Sequence, residues 1–371
     1  CVIMNPPYFK LRKDSRHAQV MKHVIHGQPN IYALFMAAAV ELLAPHGEMV
    51  AITPRGYFSG PYFKRFRKWF FDRMTARRIH LFESRTDTFR EDAVLQENVI
   101  LHAERSGEKS HVALTSTMGR DLSDLKSSVL PYASIVDDSN GDHVIRVTTS
   151  GFEQAVVSVV DGLPNRFRDS GLDISTGPVV SFRATEFLRA TRTEQTAPLL
   201  WLHNVRPFIT RYPQHSSKPE HIQISDESKR LLVPAKTYVL LKRFSAKEEK
   251  RRLVAGILTP ADTYAPWVGL ENHLNYVYRK GGDLTRPEAF GLAAYFNSAL
   301  VDVYFRTISG NTQVNATEIR GMPIPSGNTI ANIGVEIQKI ETHDRREVER
   351  VVCRALDIPP SLTEILLNLA P

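Results

Sequence analysis

Through the first hundred residues, apolar runs of strand length alternate with segments of helical period, and no other feature of the chain constrains the fold as much. Val2-Ile3-Met4 is a short apolar strand that ends at Asn5. Residues 30–44 carry Ile31, Leu34, Phe35, Ala38 and Leu42 at helical spacing, with Asn30 placed as N-cap and Pro45-His46-Gly47 as the stop. Met49–Thr53 reads as a buried strand closed by Pro54. A helix is then expected from Pro61 to about Thr75, with Pro61 at its first position and Phe63, Phe66 and Phe70 on one side. Ile79–Phe82 and Asn98–Ala103 read as two more strands. The order strand, helix, strand, helix, strand, strand predicts an α/β fold, specifically half of a doubly wound sheet.

After about Gly107 the alternation stops. Residues 108–150 read as a linker or transition, with the loop signal Asp-Asp-Ser-Asn-Gly-Asp at 137–142. Residues 151–325 hold scattered short strands and a few helices, which predicts a second, mixed α+β domain. Residues 326–371, including the charged run Glu336–Leu356, read as C-terminal helices. At 371 residues the chain is long enough for two cores, and no apolar run approaches the roughly 20 residues of a bilayer span. Cys1 and Cys353 stand at opposite ends and match no metal spacing, which suits a reducing, cytoplasmic setting. His23-x-x-His26 lacks further ligands at useful spacing, so no metal site is expected. The net charge of +7 is compatible with a polyanionic partner. Between Pro54 and His80 stand eight basic residues (Arg55, Lys64, Arg65, Arg67, Lys68, Arg73, Arg77, Arg78) against one acid, Asp72. A second cluster, Lys236 to Arg252, is diluted by Glu248 and Glu249.

The chemistry concentrates in Asn5-Pro6-Pro7-Tyr8. A strand ending in Asn-Pro-Pro puts an amide and two rigid carbonyls at the C-terminal edge of the sheet, where α/β ligands bind. Proline has no N–H, so the Pro6 carbonyl projects from a stiff turn without a competing donor. The Asn5 side-chain oxygen and that carbonyl can accept both hydrogens of one planar –NH2 group. Such an amine is a poor nucleophile because its lone pair is delocalised. Two acceptors pull the nitrogen towards tetrahedral geometry and stabilise the positive charge that grows as it attacks. Tyr8 offers a flat face for stacking a base, a contact worth about 1–3 kcal/mol.

Following an apolar strand, this tetrapeptide resembles the catalytic motif of amino-group methyltransferases that use S-adenosylmethionine. Asn30–Pro54 resembles the next helix and strand of N6-adenine DNA methyltransferases, and Thr88–Leu101 resembles the end of that catalytic domain, where Phe89 is the candidate contact to a flipped base. Ser175–Arg183, Tyr238–Ala255, Leu270–Arg279 and Ile308–Pro325 resemble the target-recognition region of adenine methylases from restriction–modification systems. The resemblance implies a catalytic portion at 1–107 and a DNA target-recognition domain at 151–325. It also implies base flipping and direct methyl transfer, with Asn5, Pro6, Pro7 and Tyr8 as catalytic residues. Duplex DNA is the implied partner, with a cognate restriction endonuclease as a further candidate. In the second domain Arg183, Lys242, Arg243, Arg279 and Lys280 are candidates for phosphate or guanine contacts, and Asn311, Thr312 and Gln313 for adenine edges.

The family binds its cofactor through a glycine turn after the first strand, and here no two of the twenty glycines are separated by a single residue. The main S-adenosylmethionine motif is therefore expected before Cys1, with a separate chain as the other candidate carrier. This chain alone is expected to be inactive and to bind the cofactor weakly or not at all. Other classes remain open. A non-catalytic DNA-binding specificity module fits the chain as it stands. A protein or RNA amide methyltransferase also suits the tetrapeptide, although the large C-terminal domain argues against it. A nuclease has only the acid-x-Lys match at Glu248-Glu249-Lys250, without a suitably placed Pro-Asp before it.

Overall fold

The computed structural model describes residues 1–82, 98–119, 121–138, 141, 143–148, 150–245, 249–309 and 313–370. The fold is mixed α/β and divides into two units, Cys1–Glu153 with Thr307–Asn311, and Gln154–Arg306 with Thr312–Pro371.

In the first unit β1 (Val2–Met4) is followed by α1 (Arg16–Val20), α2 (Ile31–Leu42), β2 (Glu48–Pro54), α3 (Lys64–Phe71), β3 (Met74–Phe82), β4 (Asn98–Arg105), β5 (His111–Thr117) and β6 (Lys126–Pro131). Among the described residues these strands form one sheet in the order β1-β2-β4-β3-β5-β6. β1 runs parallel to β2, with Val2 opposite Met49. β4 lies antiparallel between β2 and β3, so the last two strands of the alternating pattern are neighbours of opposite direction. Tyr32, Tyr57, Phe58, Phe66, Phe70 and Phe71 are buried in its core.

Three expectations change. Of the face expected for α2, Ile31 and Leu34 are buried, but Phe35, Ala38 and Leu42 are exposed while Tyr32, Met36 and Val40 go inward. The sequence IYALFMAAAVEL is apolar nearly all round, so its periodicity does not single out a face. α3 ends at Phe71 rather than near Thr75, because Met74, Thr75 and Ala76 pair with β4 and are buried there. The segment expected as a transition, 108–150, contributes β5 and β6 to the same sheet. Its alternating burial is the signature of a strand with one covered face.

The second unit contains β7 (Leu172–Thr176), β8 (Leu188–Arg189), β9 (Thr196–Leu200), β10 (His221–Gln223), β11 (Leu232–Pro234), β12 (Tyr238–Lys242), β13 (Ala255–Leu258), β14 (Trp267–Leu270) and β15 (Leu274–Arg279). Among the described residues they form one sheet ordered β7-β15-β12-β13 and another ordered β8-β10-β9-β14-β11. The helices α4 (Arg286–Asn297), α5 (Gly327–Ile337), α6 (Arg345–Ala355) and α7 (Pro360–Asn368) follow. α4 and α5 touch backbone to backbone, which is possible only because both contacts are glycines. A Cβ at Gly291 would sit 1.8 Å from the Ile330 carbonyl oxygen, and one at Gly334 equally close to that of Pro287. The C-terminal helical run breaks between Ile337 and Arg345, where Asp344 caps α6. No helix among the described residues is long and apolar enough to cross a membrane.

Candidate functional site

The parallel pairing of β1 with β2 brings Asn5 to the C-terminal edge of the first sheet, one residue beyond the Met4–Ala51 pair. Asn5 is exposed, Pro6 buried, Pro7 exposed and Tyr8 half-buried. The Tyr8 hydroxyl lies 2.6 Å from Asn5 Oδ1 and 3.0 Å from the Ile52 carbonyl oxygen on β2. One phenolic proton serves two acceptors, and the shorter contact identifies Asn5 as the stronger. The Tyr8 ring meets Tyr32 of α2 edge-on, with centroids 6.2 Å apart. Burial pushes the Tyr8 phenol up to about 12, so it stays a donor at neutral pH. The Phe9 carbonyl then accepts from the Ile31 amide at 3.0 Å, and the Leu11 amide donates to the Pro29 carbonyl at 2.9 Å. These bonds clamp the tetrapeptide to the start of α2. Tyr8, expected as an open platform, is therefore also a latch that orients the Asn5 amide. Ile52 and Tyr32 gave no signal in the sequence, because one acts through its backbone and the other falls off the helix face that the periodicity selects. Phe89 lies outside the described residues.

The basic run 55–78 is split by folding. Arg67 is buried and donates to the Tyr57 and Gly60 carbonyls at 3.1 and 2.7 Å. Arg55 is buried and donates to the Thr307 carbonyl at 3.3 Å. Arg77 pairs with Glu104 at 2.6 Å. Lys64, Arg65 and Lys68 remain exposed on α3, Lys68 beside Asp72 at 3.4 Å. His23 packs edge-on against Trp69.

In the second unit the four segments singled out in the sequence converge. Asn275 of β15 is fully buried, accepts from the Thr176 hydroxyl at 2.9 Å and donates to the Val314 carbonyl at 2.7 Å. The Val314 amide donates to the Arg243 carbonyl at 2.7 Å. The Arg243 guanidinium reaches the Asn272 carbonyl at 2.9 Å and Gln313 Oε1 at 3.2 Å. Glu271, fully buried, holds the His273 ring and backbone amide at 2.8 and 2.9 Å. Gly177 passes so close that a Cβ there would lie 2.4 Å from the Glu271 carbonyl oxygen. Together these bonds fix the loops of all four segments.

The candidate contacts occupy different settings on this frame. Arg183 is exposed, its guanidinium 5.3 Å from the Phe182 ring centroid. Arg243 directs donors to internal acceptors, and Gln313 gives its side-chain oxygen to one of them. Arg279 pairs with Glu288 and donates to the Ser170 carbonyl at 3.2 Å. Lys280 lies 3.0 Å from Asp173. Lys242 is half-buried, and burial, helped by Arg206, lowers its pKa. Asn311 and Thr312 lie outside the described residues. Asn275 and Glu271, which sequence reasoning missed, carry the frame. The available signal was polar residues interrupting the apolar run between Val268 and Val277.

Residues 1–89 match the family described as Eco57I restriction-modification methylase. The chain is 36% identical over 367 residues to the Type II methyltransferase M.BsuBI of Bacillus subtilis, covering 99% of this chain and 71% of that protein. It is 34% identical over 359 residues to the Type II methyltransferase M.PstI of Providencia stuartii, covering 96% and 70%. The chain belongs to the Type II restriction–modification methyltransferase family. Its fold is also similar to that of MmeI, a Type IIL restriction-modification enzyme solved in complex with DNA. That match has a TM-score of 0.58 at 9% identity and covers all of this chain and 55% of the other.

Proposed function

We propose that this chain carries the acceptor-amine and target-recognition parts of an adenine-N6 DNA methyltransferase whose donor is S-adenosylmethionine. Site-specific DNA methylation follows from membership of the Type II family. The choice of adenine rests on Asn5-Pro6-Pro7-Tyr8, and the observation that carries it is the exposed Asn5 amide held at the sheet edge by the Tyr8 hydroxyl. A carbonyl oxygen has two lone pairs, so Asn5 Oδ1 can accept from Tyr8 and still take one hydrogen of an everted amine. The Pro6 carbonyl takes the other. As the nitrogen begins to attack, its lone pair leaves conjugation and positive charge grows on the N–H groups. Acceptors already in place stabilise that charge without reorganising. On this reading the first sheet is the C-terminal half of a doubly wound methyltransferase sheet, and the second unit reads the DNA sequence.

The described glycines with closest backbone neighbours, Gly60, Gly177, Gly256, Gly291 and Gly334, have that space filled by this chain's own backbone and offer the cofactor no cradle. Asn5, Pro6 and Tyr8 supply the acceptor side of the reaction, namely binding and orienting the amine. Asn5→Ala in the complete protein tests the reading. Methyl transfer to duplex DNA is expected to fall by about a hundredfold or more, as for removal of one oriented transition-state partner, with DNA affinity changed less than about threefold. Unimpaired methylation by this variant would refute the assignment.

A further inference from the structure

On the second unit, Phe182 is 73% exposed, and among the described residues it is the one exposed aromatic side chain of that unit. A single exposed apolar residue is ordinary on a protein surface. Its mounting is not. Phe182 occupies the middle of the turn Ser181–Arg183, and both flanks are pinned. Val179 is fully buried, its amide donates to the Leu270 carbonyl at 3.1 Å, and its carbonyl accepts from the Asn272 amide at 2.9 Å. Ala184 is buried, and its amide closes the turn onto the Val180 carbonyl at 3.1 Å. The Gly177 amide donates to the Leu274 carbonyl at 2.8 Å, which anchors the approach. The turn is thus bonded to the same 270–274 segment that organises Arg243, His273 and Gln313. Beside the ring stands the Arg183 guanidinium, which forms no ion pair among the described residues. A rigidly presented apolar ring with an adjacent exposed cation matches the demands of a base stack flanked by phosphates.

We propose that Phe182 is a wedge that enters the DNA base stack while Arg183 takes an adjacent phosphate, lowering the cost of extruding the target base. This deepens the reading of the second unit as the DNA-recognition part and rests on it. Eversion costs unstacking, and an apolar plate that replaces the missing stacking partner offsets part of that cost. Phe182 is therefore a positioning residue, not a catalytic one.

The test uses the complete protein and a duplex containing the site it methylates, with 2-aminopurine in place of the target adenine. Because Phe182 is exposed, Phe182→Ala is expected to fold normally. With this variant the 2-aminopurine fluorescence enhancement on binding should drop about fivefold or more, and single-turnover methylation of the unsubstituted duplex, whose target adenine keeps its N6 amine, about tenfold, with non-cognate duplex affinity changed less than about threefold. Phe182→Trp should restore most of the enhancement. If Phe182→Ala flips and methylates within about twofold of wild type, the wedge is refuted while DNA recognition by the unit stands. A uniform loss of affinity for every duplex with unchanged flipping also refutes it, since that would make Phe182 an ordinary contact. If Arg183→Ala and Phe182→Ala together leave cognate binding and its salt dependence untouched, the turn does not meet DNA and the wedge is refuted; the underlying reading of the unit fails as well only if Lys242→Ala with Lys280→Ala also leaves both untouched.

Discussion

Replacing Tyr8 by Phe removes one oxygen and leaves the ring, which isolates the latch from the stacking face. The hydroxyl holds Asn5 Oδ1 at 2.6 Å and shares its proton with the Ile52 carbonyl at 3.0 Å. A neutral hydrogen bond of this kind is worth about 0.5–1.5 kcal/mol net. If the whole of that value serves to hold Asn5 in its productive orientation, single-turnover methyl transfer falls about two- to twelvefold. DNA affinity should not follow, because the bond is internal to the protein. Thermal stability should fall only slightly, since the exposed Asn5 oxygen regains water. Tyr8→Ala removes the stacking face too, and the further about 1–3 kcal/mol should appear both in rate and in base eversion. The comparison is made by rapid quench with labelled donor on one cognate duplex, with 2-aminopurine fluorescence run in parallel. Burial has raised the Tyr8 phenol to about 12, which keeps the proton on the latch. The methylation rate should therefore show no loss assignable to Tyr8 ionisation between about pH 7 and 10, where an ordinary tyrosine begins to titrate. A Tyr8→Phe rate equal to wild type would refute the latch, and a loss beyond about a hundredfold would mean the hydroxyl does chemistry that one neutral hydrogen bond cannot supply.

Two further outcomes are expected. Lys64→Ala with Lys68→Ala should lower the slope of log affinity against log salt by up to about 1.8, about 0.9 for each phosphate no longer neutralised. Arg67→Met should leave that slope alone and lower the melting temperature instead, since its guanidinium is engaged by the Tyr57 and Gly60 carbonyls; equal slopes for all variants would show that α3 does not face DNA. Asp173 gives a pH test. Burial alone would raise its pKa, but hydrogen bonds from Arg320, the Ile174 amide and Lys280 outweigh it and hold the carboxyl at about 2. A depressed carboxylate stabilises the fold above its unfolded value of about 3.9, and that contribution disappears as pH falls towards the folded value. The melting-temperature gap between wild type and Asp173→Asn should therefore be full at neutral pH and shrink below about pH 4; a gap that persists unchanged to about pH 3 would contradict it.

Much of the first unit was legible because each strand there is a compact apolar run with a clear stop. Val2–Met4 and β2 lie where the pattern placed them, within a residue at each end. What failed did so where local pattern is degenerate. An almost wholly apolar helix cannot announce which side is covered, and only contact with β2 and the aromatic core decides that Tyr32 goes in and Phe35 out. Met74–Ala76 suits a helix end or a strand start equally, and the partner that settles the choice, β4, lies two dozen residues away. The second unit was harder for the same reason: most of its strands are two to five residues long, and pairings such as β9 with β14 join distant segments.

The site shows a more particular limit. Positive charge marks residues that can bind DNA, but folding consumes positive charge as well. Arg67 ties a turn and Arg243 braces two loops, and the sequence alone cannot separate such struts from solvent-facing cations because both are written Arg. The distinction appears only when the acceptors are located, and backbone carbonyls leave no trace in composition. A guanidinium with five donors suits that bracing better than an ammonium does. Consistent with this, the exposed cations of α3 include two lysines, while both buried cations between Pro54 and His80 are arginines. In a basic chain of this kind, lysine is thus the better guide to a solvent-facing electrostatic surface. An arginine takes the same assignment only when it stands exposed, as Arg183 does beside Phe182.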